Sequence, residues 1–141
     1  MINGQRFPFI ERTDALGYSN MMPYLPLILS HNDNAVEVMA LLDTGSAVNV
    51  MPYDIGINLG IVWEKQNLSI PLSGNLAKHE AKGILLLGKV ANFSPVWLVF
   101  AWSQSNDVPV ILGHLNFFDK FNVCFYRHEL IFEVIPYNQE E

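Results

Sequence analysis

Val38-Met39-Ala40-Leu41-Leu42-Asp43-Thr44-Gly45-Ser46-Ala47 is an apolar run that stops at an acid, a hydroxyl, a glycine and a second hydroxyl. A buried strand of this kind holds its backbone rigid, and Gly45 lets the chain turn sharply beside the carboxylate. Thr44 and Ser46 can donate hydrogen bonds locally. The segment is therefore suited to presenting one carboxylate. Asp and Gly are also common turn residues, so Asp-Thr-Gly alone is equally compatible with an ordinary strand-ending turn. A second element stands far along the chain: Val110-Ile111-Leu112-Gly113, another apolar run stopped by glycine.

Around these two elements, short apolar runs rich in β-formers alternate with turn signals, the pattern of an all-β barrel or sandwich. Strands are expected at residues 24–30, 36–42, 48–51, 67–72, 81–90, 95–101, 110–112, 122–126 and 130–135. His31-Asn32-Asp33-Asn34 separates the first two, and its Asn and Asp residues tolerate left-handed backbone angles, which predicts a hairpin leading to Asp43. Leu115, Phe117, Phe118 and Phe121 share one helical face, so residues 115–121 are the expected helix. Residues 1–22 mix polar groups with Phe7, Phe9 and Leu16 without a clear period. They are expected to be an arm that docks on the body or on a partner, followed by one domain at 23–137 and a polar tail at 138–141.

Composition narrows the function classes. The 141 residues suit a single domain. Half of them are hydrophobic and 16% are charged, which points to a folded protein whose surface a partner covers in part. A formal net charge of −6, with no run of Lys or Arg, opposes nucleic-acid binding. The most apolar tract, 84–102, is interrupted by Gly88, Lys89, Asn92 and Pro95 and falls short of the ~20 apolar residues of a spanning helix. Paired strands and no membrane partner are expected there. No apolar stretch follows the polar residues of 1–9, so no secretory signal is read and a cytoplasmic location is expected. The single cysteine, Cys124, lies in an apolar setting and is expected to be a packed free thiol. His31, His79, His114 and His128 lack metal-ligand spacing, so neither metal nor cofactor is expected.

Taken together, the apolar–Asp-Thr-Gly and apolar-apolar-Gly segments resemble the retropepsin-like aspartic proteases, over about residues 24–134. The run Ile111-Leu112-Gly113-His114-Leu115-Asn116-Phe117-Phe118, with Phe121 and Phe125, is similar to stand-alone bacterial members. The resemblance implies an all-β, single-domain acid protease barrel with one short helix, active as a symmetric homodimer on a peptide or protein substrate. In it the two segments would cross to form the floor of the active site. Asp43 would be the catalytic acid, with Gly45 and Ser46 beside it. Thr44 would lock its loop to the partner's, and Ile111, Leu112 and Gly113 would support the floor. A substrate-covering hairpin would fall within residues 68–83, its tip formed by Leu72, Ser73, Gly74, Asn75 and Leu76. Three features differ from viral members: a tip with one glycine, His114 where those enzymes carry an arginine, and a longer N-terminal arm.

Asp14, Asp33, Asp54, Asp107 and Asp119 sit in other contexts, so the second acid the resemblance requires would come from a second copy. Two neighbouring carboxylates cannot both ionise cheaply. One would hold a proton while the other takes a proton from water, which gives activity at acid pH. Ser46, donating to Asp43, would move that window lower. Two other readings are open: a non-catalytic dimeric peptide-binding module of the same fold, and a hydrolase using Ser46 or Cys124, for which the usual nucleophile signatures are missing. Trp97, Phe100 and Trp102 suit either a substrate wall or a core.

Overall fold

The computed structural model describes residues 3–72 and 77–137. The chain opens with β1 (Gln5–Pro8), followed by a small hairpin of β2 (Ile10–Thr13) and β3 (Ser19–Met22). It then enters the predicted hairpin, β4 (Tyr24–His31) and β5 (Asn34–Leu42). Asn32 takes a φ of 54° at its turn, the left-handed conformation for which Asn is suited.

Next come β6 (Asn49–Met51), helix α1 (Tyr53–Asn58), β7 (Ala81–Lys89), β8 (Val96–Ser103) and β9 (Ile111–Leu112). Strands β4-β5-β9-β6-β8-β7 close into a barrel in that order. Helix α2 (Phe117–Lys120) leads to β10 (Phe121–Tyr126) and β11 (Ile131–Pro136), and a separate sheet orders as β1-β11-β10.

The barrel interior follows the two-residue period of its strands. Leu25, Leu27 and Leu29 on β4, Ile84 and Leu86 on β7, and Leu98, Phe100 and Trp102 on β8 are all buried. Fully burying one such side chain contributes roughly 1.5–3 kcal/mol. The Arg6–Glu133 pair, at 4.0 Å and with Arg6 exposed, adds little by comparison. The apolar tract 84–102 is the β7–β8 hairpin, paired from Ala81↔Ser103 to Gly88↔Val96. Among the described residues no helix is long and apolar enough to cross a membrane. Phe100 and Trp102 belong to the core, whereas Trp97 is exposed.

Four expectations are corrected. A second helix, α1, joins the one expected. It packs under Trp102, whose Nε1–H donates to the Tyr53 carbonyl at 2.9 Å and whose ring stacks on Tyr53 at 5.6 Å. Gly56 sits mid-helix because a Cβ there would lie 2.1 Å from that indole. The strand expected at 67–72 is reduced to a bridge between Ser69 and Lys82. Pro71 has no N–H to continue a ladder. The helix expected at 115–121 is shorter, since Phe121 already starts β10. Finally, Cys124 is exposed rather than packed. Strand β10 is an edge of its sheet, and the apolar neighbours of Cys124 in sequence do not enclose it in space.

In the arm, β1 lies antiparallel to β11, pairing Gln5 with Val134 through to Pro8 with Ile131. Phe7 stacks on Phe132 at 5.5 Å and Phe9 meets the same ring edge-on at 5.9 Å, all three buried.

Candidate active site

Strand β5 delivers Asp43 alongside β9. The two strands run parallel, Leu41 opposite Ile111 and Leu42 opposite Leu112, with Leu41 N–H donating to Val110 and Asp43 N–H to Leu112. Both segments singled out in the sequence therefore meet beside the carboxylate.

The loop after Asp43 closes tightly. Ser46 N–H donates to the Asp43 carbonyl at 3.1 Å, and Gly45 N–H donates to Asp43 Oδ1 at 2.9 Å. A backbone donor on one carboxylate oxygen fixes the direction of the side chain and leaves the other oxygen free for chemistry. The hydroxyl of Ser46 donates to the Val48 carbonyl at 2.7 Å. The expected donation from Ser46 to Asp43 is thus replaced by the Gly45 amide, because Ser46 lies where the chain turns into β6. Asp43 is half-buried and Thr44 is exposed.

Gly113 is required by contact. A Cβ on it would come within 2.5 Å of the Val48 carbonyl oxygen and 2.6 Å of that of Ser46. The chain therefore passes directly under the loop. Just beyond, His114 N–H donates to Ser46 at 3.0 Å and Leu115 N–H to Ala47 at 2.9 Å.

Sequence reasoning missed the pair that ties this floor to the barrel. Asn49 is fully buried on β6; its Oδ1 accepts from Gly113 N–H at 2.8 Å, and its Nδ2 donates to Val99 O at 2.9 Å and to Asn116 Oδ1 at 3.2 Å. Asn116 Oδ1 also accepts from Val99 N–H at 3.0 Å, and its Nδ2 donates to the Trp97 carbonyl at 3.0 Å. Two amide side chains thus join β6, β8 and the Gly113 turn. The available signal was an Asn inside the apolar run 47–51, a buried polar group in need of partners.

Above the loop lies a cleft of about 510 Å³ lined by Asp43, Gly45, Ser46, Ala47, Val48, Val50, Pro71, Leu72 and Ile111. Asp43 is the acid in that lining, and apolar groups form most of its walls. Of the expected covering hairpin, Leu72 reaches the cleft, while Ser73, Gly74, Asn75 and Leu76 lie outside the described residues. The hairpin's base is held by Ile70 N–H to Ala81 at 3.0 Å and Gly83 N–H to Leu68 at 2.8 Å. No cluster of His, Cys, Asp and Glu suited to a metal occurs among the described residues.

Solved structures share this arrangement of strands. A retropepsin-like aspartic protease from Rickettsia conorii superposes with a TM-score of 0.58, covering 96% of this chain and 96% of that one at 13% identity. The retroviral protease-like domain of Ddi1 from Leishmania major matches with a TM-score of 0.54, over 85% of this chain and 96% of that one, at 16% identity. This is the retropepsin-like fold. No protein-family model matches the sequence, and no curated protein does. The retropepsin-like likeness is one of architecture, so the chemistry of the cleft is argued from its own residues.

Proposed function

We propose that this chain is one subunit of an aspartic endopeptidase whose active site forms when two copies bring their Asp43 carboxylates together. The observation that carries the reading is a carboxylate aimed by the Gly45 amide from a doubly supported loop into an open cleft of mixed polar and apolar lining. The protease names of the fold neighbours support it. One acid per cleft is half of what water activation needs, and a two-fold axis between identical loops supplies the other half. Exposed Thr44 is the residue we assign to cross-subunit contact, and Leu72 with residues 73–76 to covering the substrate.

In the assembled pair one carboxylate is charged and its twin protonated, as the handling of close carboxylates requires. The charged member takes a proton from water as the water oxygen attacks the peptide carbonyl carbon. The protonated member gives its proton to the carbonyl oxygen, producing a tetrahedral diol. The carboxyl of the dyad then gives its proton to the amide nitrogen while its carboxylate twin takes one from a diol hydroxyl, so that the C–N bond breaks, an acid and an amine leave, and the one-proton dyad is restored. Activity belongs at acid pH and fades as rising pH removes the shared proton. The apolar walls, Val48, Val50, Leu72 and Ile111, favour substrates with apolar side chains near the scissile bond. We place the enzyme in the cytoplasm of a bacterium.

Digestion of a peptide library between about pH 4 and 6 tests the proposal. Cleavage abolished in Asp43→Asn is the expected result. Peptide retained without cleavage would instead identify a binding module of the same fold, and cleavage unaffected by Asp43→Asn would exclude the dyad.

A further inference from the structure

We infer that His114 is a positioning residue that clamps the Asp43–Ser46 loop from below through two separate bonds, a role that rests on the protease reading for its catalytic consequence. Its backbone N–H donates to the Ser46 carbonyl at 3.0 Å, and its ring Nε2 lies 2.6 Å from the Thr44 carbonyl. A carbonyl oxygen has no proton to give, so Nε2 must carry the hydrogen. The ring is therefore the Nε2–H imidazole or the imidazolium, and the bond survives in either state. Phe118 meets the ring at 5.4 Å and an angle of 57°, holding it at the loop.

The two bonds differ in what they demand of residue 114. Any residue other than proline supplies the backbone donor, but the bond to Thr44 needs a side-chain donor of this reach. Thr44 lies between Asp43, whose carboxylate the chemistry uses, and Gly45, whose amide aims that carboxylate. The Thr44 carbonyl and the Gly45 N–H belong to one planar peptide unit, so holding the carbonyl fixes the amide that aims the Asp43 carboxylate. It also sets which way the exposed Thr44 side chain leaves the loop. A loop lacking this bond retains Gly113 beneath it but gains rotation at Thr44, and small misplacements of reacting groups carry large rate costs.

Two substitutions separate the hydrogen bond from the ring. His114→Phe keeps an aromatic ring against Phe118 and removes the donor, whereas His114→Gln removes the ring and places an amide donor at similar reach. Two readouts are used on the full chain: amide hydrogen exchange of residues 43–46, and kcat and KM at protein concentrations where activity no longer depends on dilution. Loss of one such bond corresponds to about a tenfold effect. The expected result is that His114→Phe speeds exchange at Gly45 and Ser46 about tenfold and lowers kcat by a similar factor with KM nearly constant, while His114→Gln restores most of both. Exchange in the β4–β5 hairpin stays unchanged, which separates a loop effect from general unfolding. Unaltered loop exchange in His114→Phe overturns the clamp, whatever the activity. So does a Gln variant as impaired as the Phe variant. If no Asp43-dependent cleavage is found in the unsubstituted protein, the protease reading fails, and the exchange data still decide the clamp.

Discussion

Below the cleft, the Asp43–Ser46 loop is tied to β9 and the Gly113 turn by backbone bonds, with fully buried Asn49 anchoring the turn to the barrel. Above it, residues 68–72 rest on β7 through a single bridge made of two backbone bonds, and Leu68 is 62% exposed. Both regions border the same cavity, yet the floor is anchored through a fully buried side chain, whereas in residues 68–72 the most enclosed side chains, Ile70 and Leu72, are half-buried. The difference matches a division of labour. A reacting carboxylate gains from a fixed backbone, whereas a cover must let substrates in and out, and such elements are drawn from the less stable parts of a fold.

Substitutions in the floor are expected to be costly. Asp43→Asn removes the proton-handling group without disturbing the strands and is expected to lower kcat/KM by about a thousandfold or more, with melting temperature nearly unchanged. Gly113→Ala forces a methyl against the carbonyls of Val48 and Ser46, which are backbone and cannot swing aside. Denaturant titration should show a loss of about 3 kcal/mol, with activity falling in parallel. Asn49→Leu leaves the Gly113 N–H and the Val99 carbonyl unpaired in a dry site, for a loss of about 2–3 kcal/mol in the same measurement.

The roof should respond differently. In Gly83→Ala the new Cβ meets the Leu68 and Ile70 side chains first, at 2.7 and 3.0 Å from their terminal methyls, and these half-buried or exposed side chains can move. Stability is expected to change by less than about 1 kcal/mol. Because those side chains sit at the base of the cover, KM should shift by about two- to fivefold with kcat held. A large stability loss there would show that the roof is as rigid as the floor.

The floor was legible because each of its parts leaves a local trace. The runs 38–42 and 110–112 are apolar without interruption, each stops at a glycine-containing turn, and Asn32 marks the hairpin between β4 and β5. The Asn49–Asn116 link was not legible, since its meaning depends on three strands meeting. Helix α1 was hidden by Gly56, a poor helix former present for the sake of Trp102. Pro52 before it, Asp54 in its first turn and Gly60 beyond it, with a φ of 78°, were start and stop signals. Strand β1 exists through its pairing with β11 at the other end of the chain, which no local pattern announces. Cys124 was misread because an apolar neighbourhood in sequence says little about which face of an edge strand a side chain occupies.

In the proposed enzyme two chains each contribute one carboxylate to a single site. Subunits of the unsubstituted protein and of Asp43→Asn, allowed to exchange at constant total concentration, test this most directly. If the site is shared, activity follows the square of the unsubstituted fraction, so that an equal mixture retains about a quarter of full activity. Activity falling in simple proportion, with about half retained at equal mixing, would show that each chain works alone and would contradict the account.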